Sequence, residues 1–150
     1  MTVAAVLKQK GSEVITIAPS ATVQEIAALI SSRRIGAVVV MSDDKRLAGI
    51  VSERDVVKAI ATKGEAALRL TAADIMTAEV VTATPRTTVD QAMEMMDAGY
   101  FRHLPVLDEG RMIGIISVRD AVRAHIQTQA EEVNSLMDYV HRGAKADGLR

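Results

Sequence analysis

Apolar positions in this chain alternate between a strand period and a helix period, and they run through the same order twice. Val14–Ala18 reads as a short strand closed by Pro19, which cannot donate to a ladder. Thr22-Val-Gln-Glu25 follows as a capping-box pattern, and Val23, Ile26, Ala27 and Ile30 then fall at helical spacing. Ala37–Met41 is an apolar run short enough for a buried strand. Asp43-Asp44-Lys45 signals a turn, so Leu47–Val51 is expected to return as the second arm of a hairpin. A second helix opens at Ser52 and carries Val56, Val57 and Ile60.

The second pass begins at Val80–Ala83 and Pro85. It continues through Thr88-Val-Asp-Gln91, a helix with Val89, Ala92, Met93 and Met96, and the run Leu104–Leu107. Asp108-Glu109-Gly110 is its turn, Met112–Ile116 its return strand, and Ser117 opens a helix carrying Ala121, Val122 and Ile126. Val14–Val57 overlays Val80–Val122 with one gap, at Lys45. Only two copies are present, each longer than a solenoid repeat, so the pattern is a duplicated small domain. The fold class expected is α+β, two strand–helix–strand–strand–helix units. Units of about 50 residues are marginal alone. They are expected to pack sheet to sheet with pseudo-two-fold symmetry, burying the faces each leaves open.

The expected boundaries follow. Residues 1–62 hold the first repeat with a lead-in helix over Val3–Lys10, 63–74 a linker and second lead-in, and 75–126 the second repeat. Residues 127–150 extend the last helix through Val133, Leu136, Met137 and Val140, with a tail from Gly143.

Composition narrows the function. A net charge of −1 gives no basic footprint for nucleic acid, and 2% aromatic residues leave few platforms for stacking bases along a strand. The absence of cysteine removes thiol catalysis and zinc–thiolate sites. His103, His125 and His141 lack metal-ligand spacing, so no metal is expected. No run approaches the roughly 18 apolar residues of a membrane span, and no signal pattern opens the chain, so a cytoplasmic protein without a membrane partner is expected. There is no phosphate loop, nucleophile elbow, His-Glu-x-x-His or Gly-x-Gly-x-x-Gly. The chain is therefore not expected to be an enzyme. Met93, Met95, Met96 and Met112 read as core filling, since their spacing follows the helix and the strand.

The chemistry concentrates in Gly49-Ile-Val-Ser-Glu-Arg-Asp55 and Gly114-Ile-Ile-Ser-Val-Arg-Asp120. Glycine in a strand admits a close backbone or ligand. Ser52 and Ser117 stand at helix N-caps, where amides and dipole favour an anion. Asp55 and Asp120, one turn on, are each able to accept both hydroxyls of a ribose. Arg54 and Arg119 offer a fork suited to phosphate. Ser-x-x-Asp is also an ordinary capping device, but a cap requires no arginine.

These segments resemble the Gly-h-h-Ser/Thr-x-x-Asp signature of cystathionine-β-synthase-type (CBS) domains, and Arg102-His-Leu-Pro-Val106 resembles the start of a strand in the same family. The likeness extends over Val14–Ile126. It implies a tandem pair, or Bateman module, of the stand-alone bacterial kind: a regulatory module that binds an adenine nucleotide between its repeats. AMP is the foremost expectation, with NAD(H), ATP or S-adenosylmethionine behind it, and no catalytic cofactor. Carried over by position, one cleft joins Ile15, Ile35, Gly36 and Ala37 to Ile115, Ser117, Arg119 and Asp120. The other joins Met76, Thr77, Val81 and Phe101 to Ile50, Ser52, Arg54 and Asp55. Arg102 and His103 resemble a basic phosphate-contacting pair and are expected to serve the Asp120 cleft, which is favoured. The first repeat has Gly36 and Ala37 at those positions, which is expected to leave room there for a flat base. The resemblance also implies a disc-shaped homodimer through the signature helices and a regulated protein reached in trans. The alternatives are an interaction or scaffold module with vestigial clefts, or a sensor of another adenosyl ligand.

Overall fold

The computed structural model describes residues 1–146. Helix α1 (Val3–Lys10) opens the chain, capped by the Thr2 hydroxyl. The first repeat follows as β1 (Thr16–Ile17), α2 (Val23–Arg33), β2 (Ala37–Met41), β3 (Leu47–Ser52) and α3 (Glu53–Lys63). A 3₁₀ turn (Gly64–Arg69) and the short α4 (Ala72–Ile75) occupy the segment read as linker. The second repeat is α5 (Val89–Gly99), β4 (His103–Asp108), β5 (Arg111–Ser117) and α6 (Val118–Ala146). The helix starts are those the sequence marked. Thr22, Ser52 and Thr88 each close a capping box with the residue three positions on.

Strand alternation separates the two faces of each sheet. Val38, Val40 and Val51 point to the helices of the first repeat and are fully buried with Val23 and Ile26. Leu104, Val106 and Ile116 do the same in the second, with Val89, Ala92 and Met96. Side chains of the opposite parity, Ala37, Val39, Ile50 and Ser52 in one sheet and His103, Pro105, Ile115 and Ser117 in the other, lie on the faces turned away from the helices. Val39 and Pro105 are completely buried there although neither belongs to a helix-side core, because the repeats pack sheet to sheet. Both sheets carry a register shift at the same place, after Val40 and after Val106.

The lead-in elements cross over. Val3, Val6 and Leu7 of α1 belong to the core of the second repeat, whereas Ala72 of α4 belongs to the core of the first. Val3 N–H donates to Thr87 O and Ala4 N–H to Pro85 O. Ala72 N–H donates to Ala21 O and Ala73 N–H to Pro19 O in the matching arrangement. The lead-in helix placed with the first repeat by chain order is thus packed on the second.

Three expectations change. The strand read over Val14–Ala18 is only Thr16–Ile17, and Val80–Ala83 makes a single bridge, Ala83 to Val106. Pro105 accounts for the second loss. Val39 N–H donates to Ile15 O, and Pro105, the equivalent residue, has no N–H to give Val81. The third is the C-terminal helix, which runs through Gly143 to Ala146; the remainder of the expected tail, 147–150, lies outside the described residues.

Candidate functional site

Ser117 ends β5 and faces the first repeat because strand parity puts it on the same side as Ile115. The polypeptide turns directly into α6, so Ser117 Oγ caps the Asp120 amide at 3.1 Å while Asp120 Oδ2 accepts the Ser117 N–H at 2.9 Å. Ser52 and Asp55 repeat this at the start of α3, with Asp55 Oδ2 accepting from Ser52 N at 2.8 Å and Ser52 Oγ at 3.1 Å. Each pairing engages Oδ2 of the carboxylate, and the two aspartates line the two cavities described next.

The Asp120 side of the seam opens into a cavity of about 490 Å³. All of the residues expected for the favoured cleft line it: Ile15, Ile35, Gly36 and Ala37 from the first repeat, and Arg102, His103, Ile115, Ser117, Arg119 and Asp120 from the second. Lys10, Glu13 and Arg34, which the sequence reading did not select, line it as well. Its charged groups are Lys10, Arg34, Arg102 and Arg119 against Glu13 and Asp120, so the lining is net positive.

The Asp55 side holds a smaller cavity of about 300 Å³, lined by Ile50, Ser52, Arg54, Asp55 and Thr77 as expected. Gly36, Tyr100, Arg102 and His103 also reach it, so the basic pair borders both cavities. Met76, Val81 and Phe101 do not line it. Met76 packs on the first core, its sulfur over Gly49. Val81 is 46% exposed, freed by the missing Pro105 donor. Phe101 packs on the second core and borders a separate groove with Met93, Met96 and Tyr100.

The signature glycines have a definite task. A Cβ on Gly49 would lie 2.5 Å from Met76 Sδ and 2.8 Å from Thr77 O. On Gly114 it would lie 2.6 Å from Leu7 Cδ2. Each glycine therefore seats the lead-in segment packed on its repeat, and the close approach is by protein. Gly36 is constrained in the same way: the space above it is filled by the His103 ring, 2.8 Å from where a Cβ would stand. The room expected there for a flat base is occupied by an imidazole.

Electrostatics at the Asp120 cleft are set by three groups. Lys10 Nζ donates to Asp120 Oδ2 at 2.6 Å and to Ile115 O at 2.8 Å. Burial raises the Asp120 pKa, but the Lys10 ammonium and the Ser117 amide outweigh it and hold the carboxyl below the usual value. His103 is pushed below the ordinary histidine value, mainly by burial, against the opposing pull of Asp120 and Glu53. Its ring is therefore neutral at pH 7. On the other side Arg54 donates to Tyr100 O at 3.2 Å, tying α3 to the second repeat. Among the described residues no group of acidic or histidine side chains is arranged to hold a metal ion, and no helix is long and apolar enough to cross a membrane.

Comparison with known proteins assigns this arrangement. The pattern of the CBS domain family matches residues 10–62 and 72–126. The chain is 33% identical over 150 residues to the mitochondrial CBS domain-containing protein CBSX3 of Arabidopsis thaliana, covering 95% of this chain and 73% of that one. The crystal structure of the CBS-domain containing protein ATU1752 from Agrobacterium tumefaciens superposes with a TM-score of 0.81 at 43% identity, over 83% of this chain and 92% of that one. PAE2072 from Pyrobaculum aerophilum, a CBS domain protein complexed with AMP, gives a TM-score of 0.72 at 28% identity over 80% and 89%. The CBS pair of MJ0100, in complex with 5'-methylthioadenosine and S-adenosylmethionine, gives 0.76 at 25% over 85% and 98%. With a duplicated strand–helix frame, a signature turn bordering each of the two cavities and the family pattern over both halves, this chain belongs to the CBS domain family as a tandem pair, a regulatory module.

Proposed function

We propose that the chain is a non-catalytic sensor that binds an adenine nucleotide, AMP foremost, in the Asp120 cleft. The observation that carries this reading is the lining of that cavity. One ribose-competent carboxylate and a capped helix start come from the second repeat, and an apolar rim of Ile15, Ile35 and Ala37 comes from the first. A net positive border surrounds them. A nucleotide needs these three surfaces together: an acceptor for its diol, an apolar slot for its base and cations for its phosphate. AMP in one relative and two adenosyl compounds in another support the ligand class. The Asp55 cleft is the weaker site, being smaller and having Met76, Val81 and Phe101 turned elsewhere.

A ligand spanning both repeats favours the inter-repeat angle it fits best, and that shift is the signal. A second copy of the chain receives it. Val57, Ile60, Val122 and Ile126 on α3 and α6 are 65, 44, 42 and 60% exposed, an apolar face on the two signature helices suited to pairing into a disc-shaped homodimer.

Calorimetry with AMP, ATP, NADH and S-adenosylmethionine tests the reading. AMP is expected to bind most tightly and to raise the melting temperature, since it binds the folded state alone. If none of the four binds, the clefts are vestigial and the chain is an interaction module.

A further inference from the structure

The Asp120 cleft contains a cation that the Asp55 cleft has no counterpart for, and its origin lies in the crossed lead-in helices. Thr2 and Thr71 make equivalent bridges, to Thr88 and Thr22, so α1 and α4 are the same element in the two repeats. Leu7 over Gly114 then matches Met76 over Gly49. Beyond that point the two differ. Helix α4 ends at Ile75, whereas α1 continues for another turn to Lys10 before Gly11 closes it at φ 99°. That added turn carries Lys10 to the carboxylate of Asp120 and the carbonyl of Ile115. The lysine is firmly placed. Leu7 wedges α1 against β5, the Val3 and Ala4 amides anchor its start, and the Lys10 side chain is only 32% exposed.

A ligand that uses Asp120 must deal with this ammonium. The oxygen that Lys10 contacts is the one that already accepts the Ser117 amide. A neutral nucleoside placing its diol on the other oxygen of Asp120 offers the lysine no added anion. Arg34, Arg102 and Arg119 line the same cavity, so the lysine stands among like charges and gains from an added anion. A phosphate-bearing ligand supplies the lysine with a new anionic partner while Asp120 turns to the diol.

Resting on the adenosyl reading above, we propose that Lys10, delivered by the extended lead-in helix, is the specificity-determining residue of the Asp120 cleft and selects phosphorylated adenosyl ligands over neutral ones.

The test compares AMP with 5'-methylthioadenosine by calorimetry on the native chain, Lys10→Met and Lys10→Arg. Lys10→Met is expected to weaken AMP by about tenfold to a hundredfold, the equivalent of one charge-assisted contact. It is expected to leave 5'-methylthioadenosine unchanged or tighter, so the preference for AMP collapses. Lys10→Arg keeps the charge and retains the preference. Thermal melts of the unliganded variants separate this from damage to the fold, since unfolding lowers both affinities together. A native chain that binds AMP, with Lys10→Met keeping the same ratio of affinities, overturns the assignment to Lys10 alone. A native chain that binds neither compound overturns the adenosyl reading and this inference with it.

Discussion

The two signature glycines sit at equivalent positions but differ in what they meet, and that difference sets the cost of filling them. Gly49→Ala places a methyl 2.5 Å from Met76 Sδ, 2.8 Å from Met76 Cγ and 2.8 Å from the backbone carbonyl of Thr77. Met76 can rotate. Thr77 cannot yield cheaply, because it is held to Ile50 by two backbone hydrogen bonds of 3.1 and 3.0 Å. Overpacking of this kind costs about 1–3 kcal/mol, and straining the bonded pair adds about 1 kcal/mol or more. Restricting the unfolded chain returns about 0.4–1 kcal/mol. The net loss is about 1–3.6 kcal/mol, or a drop of roughly 2–14 °C in melting temperature for a chain of this length. Gly114→Ala meets only the side chain of Leu7, at 2.6 Å and 2.8 Å, so its clash should be relieved when Leu7 is also truncated. In a double-mutant cycle, Gly114→Ala with Leu7→Ala is expected to be less destabilised than the sum of the single changes by about 1–2 kcal/mol. Calorimetric melts of the five proteins measure both effects. A Gly49→Ala protein melting within 2 °C of native, or an additive Gly114/Leu7 cycle, would refute the close-seating explanation.

Two further predictions concern charge and assembly. Because burial keeps His103 below the ordinary histidine value of 6.5, the unfolded chain binds the proton more readily. Stability is therefore expected to fall as pH drops from about 6.5 toward the folded value, and His103→Gln should flatten that slope in urea titrations. An unchanged slope counts against a buried neutral ring. Asp120 acts in another window, since its lowered pKa makes its contribution vanish only as pH falls below 3.8. For assembly, Ile126, Val133 and Val140 recur every seven residues on α6 and are 60, 58 and 58% exposed, a stripe of the kind that pairs helices. Sedimentation should give twice the 16.1 kDa chain mass for the native protein and a weaker association for Val133→Glu. A native monomer contradicts the pairing.

Much of the fold was legible because local chemistry and global packing agree. Capping boxes at Thr22 and Thr88 fixed two helix starts, and the runs Ala37–Met41 and Leu104–Leu107 announced strands buried on both faces. Strand parity then carried Ser52 and Ser117 to the seam without further information. The first edge strand was overread in both repeats, and in the second the reason was present in the sequence: Pro105 stands where Val39 donates. The crossed lead-in helices were not legible, since chain order gives no sign of which core Val3, Val6 and Leu7 fill. That is why Lys10 was missed, as its role depends on a helix lying against the other repeat. Met76 and Phe101 were misplaced for a related reason. Both are large apolar side chains with a core within reach, and burial outweighs lining a polar seam.

The most direct test of nucleotide binding at Asp120 compares AMP titrations of the native chain, Asp120→Ala and Asp55→Ala. Asp120→Ala is expected to weaken the tightest binding at least tenfold, a loss of about 1.4 kcal/mol. Asp55→Ala should leave that event nearly unchanged. Equal losses in the two variants, or an unaltered affinity in Asp120→Ala, would contradict it.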